Sequence, residues 1–361
     1  MRVCVVAGAR PNFMKIAPVV RALTARGLSA GIVHTGQHYD ERMSDAFFRE
    51  LDIPQPCANL EAGAGTPIAQ TAEIMKRLEP VLVADRPDWV VVVGDVNSTV
   101  AAAMAASKLG VRLAHVEAGL RSFDRAMPEE LNRIVTDALS DRLFASEPCA
   151  VANLQREGID ESRIFLVGNV MIDTLRANLD RVRAARAHAR FDLEPGEFAL
   201  ATLHRPSNVD VRENLMSILS AIEYAANKIP VLLPLHPRTR KRMEEFGLSQ
   251  SIGGGRVKIV EPLGYLDTIG LIDKARLVLT DSGGVQEETT YLRVPCITLR
   301  DNTERPITVE IGSSRLVGSR YEAIVAAIDA AMSGPSRVGT VPPIWDGRAA
   351  ERIAENLAAV T

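Results

Sequence analysis

The sequence predicts an α/β protein made of two doubly wound parallel-sheet domains facing a cleft, and three observations carry that expectation. Short runs of Val, Ile and Leu alternate with longer runs of helical periodicity; the alternation pauses at a polar turn, 191–196, and restarts; and ionisable residues stand directly after one strand after another. Strands that are apolar throughout, rather than apolar at every second residue, belong to a sheet covered on both faces by crossover helices. A chain of 361 residues is long enough for two cores of ordinary size.

In the first half the expected strands are 3–8, 30–35, 89–94, 112–116, 142–145 and 164–167, with helical patterns at 14–26, 66–84, 98–109 and 129–140 between them. A long charged helical run, 173–189, leads to the turn Phe191-Asp192-Leu193-Glu194-Pro195-Gly196. The second series of strands is 198–203, 231–235, 257–260, 277–280, 296–299 and 315–317, followed by a Pro- and Gly-rich loop and a last helix, 348–360. The expected domains are therefore 1–170, joined by the C-terminal segment 346–361, and a nucleotide-binding domain at 171–345.

A doubly wound sheet presents the carboxyl ends of its strands to the ligand crevice. Asp95, Glu117, His204 with Arg205, His236 and Asp281 each follow a strand directly. Any one of them also fits a helix cap or a loop charge; their convergence is what points to a site. The stretch Asp281-Ser282-Gly283-Gly284 leads from a strand into an expected helix at 285–292, where two glycines let backbone approach a ligand and the helix start attracts a phosphate. Ser282, Gly283 and Gly284 also fit a capped tight turn. Glu288, one and a half turns on, is far enough from such a phosphate to meet ribose hydroxyls. The loop after the first strand, 8–15, carries Arg10 and Lys15 toward the same crevice, without the spacing of a dinucleotide turn or a P-loop. Pro128-Glu129-Glu130 fits a helix start, and Arg133 lies one turn further.

Net charge −3 gives no footprint for nucleic acid, and no apolar run reaches membrane-spanning length, so neither partner is expected. Cys4, Cys57, Cys149 and Cys296 lack metal-binding or redox spacing, and the N-terminus reads directly as a strand; a cytoplasmic protein with reduced thiols is expected. No metal-ligand cluster and no nicotinamide site stand out, so no cofactor is expected. Cations, carboxylates and a phosphate turn suit a nucleotide-linked substrate. If that substrate is a nucleotide sugar altered at C2, the C2 proton is not acidic, and the remaining route is loss of the diphosphate from C1 together with that proton.

Several motifs carry a resemblance. Gly-Ala-Arg-Pro-x-Phe-x-Lys at 8–15, Thr-Gly-Gln-His-Tyr-Asp at 35–40, Gly-Asp-x-Asn-Ser-Thr at 94–99 and His-Val-Glu-Ala-Gly-Leu-Arg at 115–121 are similar to the non-hydrolysing UDP-N-acetylglucosamine 2-epimerase family. Pro-Glu-Glu-x-Asn-Arg at 128–133, Thr-Asp-Ser-Gly-Gly-x-Gln-Glu-Glu at 280–288 and Arg-Asp-Asn-Thr-Glu-Arg-Pro at 300–306 extend the match nearly end to end. The resemblance implies two Rossmann-like domains of glycosyltransferase-B type, a homodimer, no metal, and interconversion of UDP-GlcNAc and UDP-ManNAc through 2-acetamidoglucal and UDP. It implies Asp95, Glu117 and Glu129 as catalytic carboxylates, with His204 beside the diphosphate and Lys15 and Arg10 in the same crevice. Ser282, Gly283 and Gly284 would hold the phosphates, Glu288 the ribose, and Arg133 and His236 would support the nucleotide. Which carboxylate takes the C2 proton is open.

Two departures stand out. Many bacterial members have Arg-Glu after the Gln-His of the 35–40 loop, where a second substrate molecule activates; here Tyr39-Asp40 follows, so an allosteric role for Gln37 and His38 is in question. Met127 stands where many members have Trp. The motifs are also similar to epimerases of 2,3-diacetamido uronic acid nucleotides, which leaves C3 and C6 open. A hydrolysing 2-epimerase, a glycosyltransferase on the same scaffold and a nucleotide-sugar sensor are the other readings.

Overall fold

The structure, a computed structural model, describes residues 1–36, 47–63, 65–252 and 255–359. The chain divides into two compact units, Met1–Ala177 with Pro343–Thr361, and Asn178–Pro342. The division falls inside the helix Val170–Ala185.

The first unit holds a parallel sheet of β1 (Arg2–Ala7), β2 (Ser29–His34), β3 (Ala58–Asn59), β4 (Trp89–Val93), β5 (Arg112–Ala118), β6 (Arg142–Ala145) and β7 (Ile164–Leu166), in the order β3-β2-β1-β4-β5-β6-β7. Every residue of β4 is buried, which is the pattern of a strand covered on both faces. On one face the helix Asn97–Lys108 packs over β1, β4 and β5 and against the helix Pro67–Asp85, and the run of small buried residues Ala101, Ala102, Ala103, Ala105 and Ala106 permits that close approach. The C-terminal helix Ala349–Ala358 packs on the first helix, Arg10–Ala25.

The second unit holds β8 (Ala199–Thr202), β9 (Val231–Pro234), β10 (Val257–Val260), β11 (Leu277–Thr280), β12 (Cys296–Thr298) and β13 (Ser314–Leu316), in the order β10-β9-β8-β11-β12-β13. Its core joins alternate residues of these strands to Leu215, Ile218, Leu219 and Ile222 of the helix Arg212–Lys228.

Both orders reverse direction once, between β1 and β4 in the first unit and between β8 and β11 in the second. Helices leave to opposite faces on the two sides of such a point, so the strand ends there open into a crevice. That geometry selects the residues following β1, β4, β8 and β11.

Three local expectations change. The segment 8–15 is not a loop: the helix starts at Arg10, with Pro11 in its first turn and Asn12 closing a cap on Ala9, so Lys15 lies within helix. Glu117 lies inside β5 rather than after it, at a register shift against β6. The helix after β11 begins at Gly283, not at residue 285.

Candidate active site

At the first reversal point, Lys15 Nζ forms an ion pair with Glu117 Oε2, and both side chains are almost wholly buried. Glu117 has φ +72°, a left-handed backbone that costs a non-glycine residue about 1 kcal/mol or more. Gly94, the residue before Asp95, has φ +66°, and a Cβ there would sit 3.0 Å from Lys15 Nζ. Glycine is therefore the residue that lets the β4 turn pass the lysine.

Asp95 does not cap the helix that follows it. The cap position is Val96, with no side-chain hydrogen bond. The Asp95 carboxylate instead accepts from Arg133 Nη2 at 2.5 Å, and its carbonyl accepts from Asn132 Nδ2 at 2.9 Å. Arg133 donates from Nη1 to Glu130 Oε2 at 2.7 Å. Glu130 also accepts from the backbone N–H groups of Ser122 and Phe123, each at 2.9 Å, and is the buried member of the Glu129-Glu130 pair. Glu129 is exposed on the first turn of the helix Pro128–Leu139. Thus two ion pairs, Lys15–Glu117 and Arg133–Asp95, each join a helix cation to a carboxylate carried at β5 or just after β4, and the exposed Glu129 is in neither pair. The backbone of Arg10 opens the first helix; its side chain, together with Gln37 and His38, lies outside the described residues.

At the second reversal point Asp281 is fully buried and fixes the neighbouring strand end. It accepts from the backbone N–H groups of His204 at 3.0 Å and Arg205 at 2.8 Å, and pairs with His204 Nδ1 at 3.0 Å. Burial pushes its carboxyl up, but His204 and these N–H groups pull it below the ordinary range and prevail. The sequence puts Asp281 at a strand end but does not reveal this orienting role. The His204 ring is partly exposed and lies 5.6 Å, centroid to centroid, from His236. His236 Nδ1 accepts from the Arg238 N–H at 3.2 Å, capping the helix Pro237–Glu245 and leaving Nε2 as its donor.

Ser282 caps the helix Gly283–Leu292 through Val285 N–H, so the turn is a helix cap, and the N–H groups ahead of Val285 have no partner within the helix itself. Beneath it, Arg305 Nη1 would lie 2.6 Å from a Cβ on Gly283. Arg305 donates to Glu287 at 2.6 Å and pairs with Glu304 at 2.9 Å; Arg300 pairs with Glu304 at 2.7 Å. Arg205 is the third partner of Glu304, at 3.2 Å, so three arginines surround that one carboxylate beside the glycine turn. The sequence placed Arg300, Glu304 and Arg305 in a motif without revealing this network. Glu288 is buried, and burial, reinforced by Glu287, pushes its carboxyl up to about 8.

All four cysteines are free thiols. Among the described residues no group of three or more His, Cys, Asp or Glu is placed to hold a metal ion, and no helix is long and apolar enough to cross a membrane.

Two doubly wound parallel-sheet units, with paired carboxylates and cations at one reversal point and a glycine turn over arginines at the other, define a Rossmann-like α/β protein of glycosyltransferase-B type. A family model described as UDP-N-acetylglucosamine 2-epimerase matches residues 21–358. The chain is 44% identical to the UDP-N-acetylglucosamine 2-epimerase of Methanocaldococcus jannaschii, with 99% of each chain covered. It is 42% identical, again over 99% of each, to the UDP-2,3-diacetamido-2,3-dideoxy-D-glucuronate 2-epimerase of Pseudomonas aeruginosa. The crystal structure of Methanocaldococcus jannaschii UDP-GlcNAc 2-epimerase in complex with UDP-GlcNAc and UDP matches with a TM-score of 0.93 at 44% identity, covering 99% of this chain and 100% of that one. Neisseria meningitidis UDP-GlcNAc 2-epimerase bound to UDP-GlcNAc gives 0.92 at 30% identity, covering 99% and 100%. The chain belongs to the UDP-N-acetylglucosamine 2-epimerase family.

Proposed function

We propose that the protein interconverts UDP-GlcNAc and UDP-ManNAc by reversible epimerisation at C2. The observation that carries this reading is the pair of carboxylates, Glu117 and Asp95, each held by a cation at the reversal point of the first sheet. A carboxylate takes the C2 proton while the C1–O bond breaks and its electron pair leaves with UDP, giving a C1=C2 double bond in 2-acetamidoglucal. UDP then returns to C1 as a proton is delivered to the opposite face of C2. Cations near the leaving diphosphate and an acid–base pair at C2 are what this elimination requires.

On this reading the expected domain 171–345 binds UDP: the Ser282-Gly283-Gly284 turn holds phosphate, Glu288 the ribose hydroxyls, and His204 stands beside the diphosphate with His236 and Arg205. Lys15 and Arg10 belong to the other domain, with Asp95, Glu117, Glu129 and Arg133. Epimerase activity toward a UDP-2,3-diacetamido uronic acid is the second reading, favoured by the identity to the Pseudomonas aeruginosa enzyme. A cytoplasmic homodimer is part of the same proposal.

Incubation with UDP-GlcNAc in deuterated water places deuterium at C2 of both epimers. An equilibrium mixture without label excludes the elimination route, free ManNAc identifies a hydrolysing enzyme, and turnover confined to the diacetamido uronic acid nucleotide selects the second reading.

A further inference from the structure

One layer beneath the carboxylates lies a closed polar cluster that the reaction above does not use. His115 of β5 is fully buried, yet both ring nitrogens have partners: Nδ1 is 2.6 Å from Asp137 Oδ1, and Nε2 is 2.8 Å from the Gly94 carbonyl oxygen. A carbonyl oxygen only accepts, so Nε2 donates. Asp137, itself fully buried, takes the Gly119 N–H at 3.1 Å and the Arg121 guanidinium at 2.7 Å on its other oxygen, which favours its ionised form. An ionised carboxylate also only accepts, so Nδ1 too faces an acceptor, and each ring nitrogen is committed to a fixed partner. Burial acts against the Asp137 charge, but the neighbouring His115 and Arg121 outweigh it and hold that carboxyl below the ordinary range.

The ring joins the elements that carry the proposed acid and base. Gly94 is the residue immediately before Asp95. Asp137 lies one turn after Arg133 on the helix Pro128–Leu139, and Arg133 holds the Asp95 carboxylate. Glu117 follows His115 by two residues on β5, in its left-handed conformation. Epimerisation needs proton removal on one face of a carbon and delivery on the other, so the separation of the two groups is itself part of the catalyst, and a displacement near 1 Å costs about a hundredfold in rate.

We propose that His115 is a positioning residue whose two ring hydrogen bonds, to Gly94 and to Asp137, set Asp95 and Glu117 at the separation that two-face proton transfer at C2 requires. The inference rests on the epimerase reading. Two substitutions divide the two bonds. His115→Asn keeps a donor near the Nδ1 position and loses the Gly94 bond; His115→Gln keeps a donor near Nε2 and loses the Asp137 bond.

With UDP-GlcNAc as the probe, His115→Asn lowers kcat by about tenfold to a hundredfold while KM stays within about threefold, and His115→Gln retains several times more kcat than His115→Asn. Melting is measured on both, and the rates are corrected for folded fraction. Corrected kcat equal to that of the parent, equal loss in the two variants, or a rise in KM at constant kcat overturns the proposal. Should neither fold, Asp137→Asn, which replaces the charged acceptor of Nδ1 with a neutral amide and so weakens that bond, must still lower kcat without moving KM; an unchanged kcat there overturns it equally. A parent protein that exchanges no hydrogen at C2 with any UDP-sugar defeats the epimerase reading, whereas a turning-over parent with an unaffected His115→Asn defeats only the role of His115.

Discussion

Glu117 keeps a left-handed backbone because its surroundings hold it there: the ammonium of Lys15 pairs with its carboxylate in a nearly dry site. Glu117→Gln leaves that ammonium against a neutral amide, so a loss of about 3 kcal/mol in stability is expected, together with a fall in C2 deuterium wash-in of at least about a hundredfold. Denaturant melting and NMR of the product measure the two effects separately. Glu288 gives a pH dependence instead. Its carboxyl, pushed up to about 8, is largely protonated at neutral pH, whereas ribose hydroxyls donate best to the ionised form. Binding then draws the group toward ionisation, so calorimetry of UDP binding is expected to show affinity rising between about pH 6 and pH 8, and Glu288→Gln to abolish that rise. The stability of the ligand-free protein moves the opposite way: a carboxyl raised in the folded state favours folding below its unfolded value and loses that contribution as pH climbs through about 8. At this scale the sequence is a partial guide. Pro128-Glu129-Glu130 places two carboxylates at a helix start, but which one turns inward is decided by Ser122 and Phe123, whose N–H groups capture Glu130 and leave Glu129 exposed.

Among the elements, runs as plain as Trp89–Val93 could be read directly, because a fully buried strand is apolar at every position. The two-residue β3 could not: Ala58 and Asn59 carry no strand pattern, and only pairing with Val33 and His34 makes them one. The start of the first helix at Arg10 was hidden by Pro11, which signals a loop and a helix start equally well. A distant carboxylate also escapes sequence reading at the C-terminal helix, where Asp173 accepts from the N–H groups of Ala349 at 3.2 Å and Ala350 at 2.7 Å. Burial raises this carboxyl to about 6, above its ordinary 3.8, in spite of those bonds. The folded protein therefore binds a proton that the unfolded chain has already lost, and this contribution to stability declines as pH rises from about 4 to about 6. Melting of Asp173→Asn is expected to lack that decline, and Asp173→Ala to lose about 1 kcal/mol at neutral pH by leaving both N–H groups without an acceptor.

For the whole molecule, the repeated strand–helix alternation, interrupted once by the polar turn 191–196, was enough to announce two sheets. Strand order was not legible, and it is strand order that turns a set of polar strand ends into two sites: Asp95 and Lys15 matter because β1 lies beside β4, and Asp281 and His204 because β8 lies beside β11. The division of labour predicts a division in protection. UDP alone is expected to slow amide hydrogen exchange in 198–205 and 277–292, while protection of 94–133 awaits the complete UDP-sugar; equal protection of both by UDP counts against the assignment of UDP to the second unit.

The first unit takes its final helix from the far end of the polypeptide: Trp345 donates to the Ser146 carbonyl, Arg352 to that of Val167, and Asp173 receives Ala349 and Ala350. During synthesis, residues 1–177 emerge from the ribosome long before those partners exist. The half translated first is thus finished last, and a nascent chain stalled before residue 343 carries an open seam along its first helix until the terminus arrives to seal it.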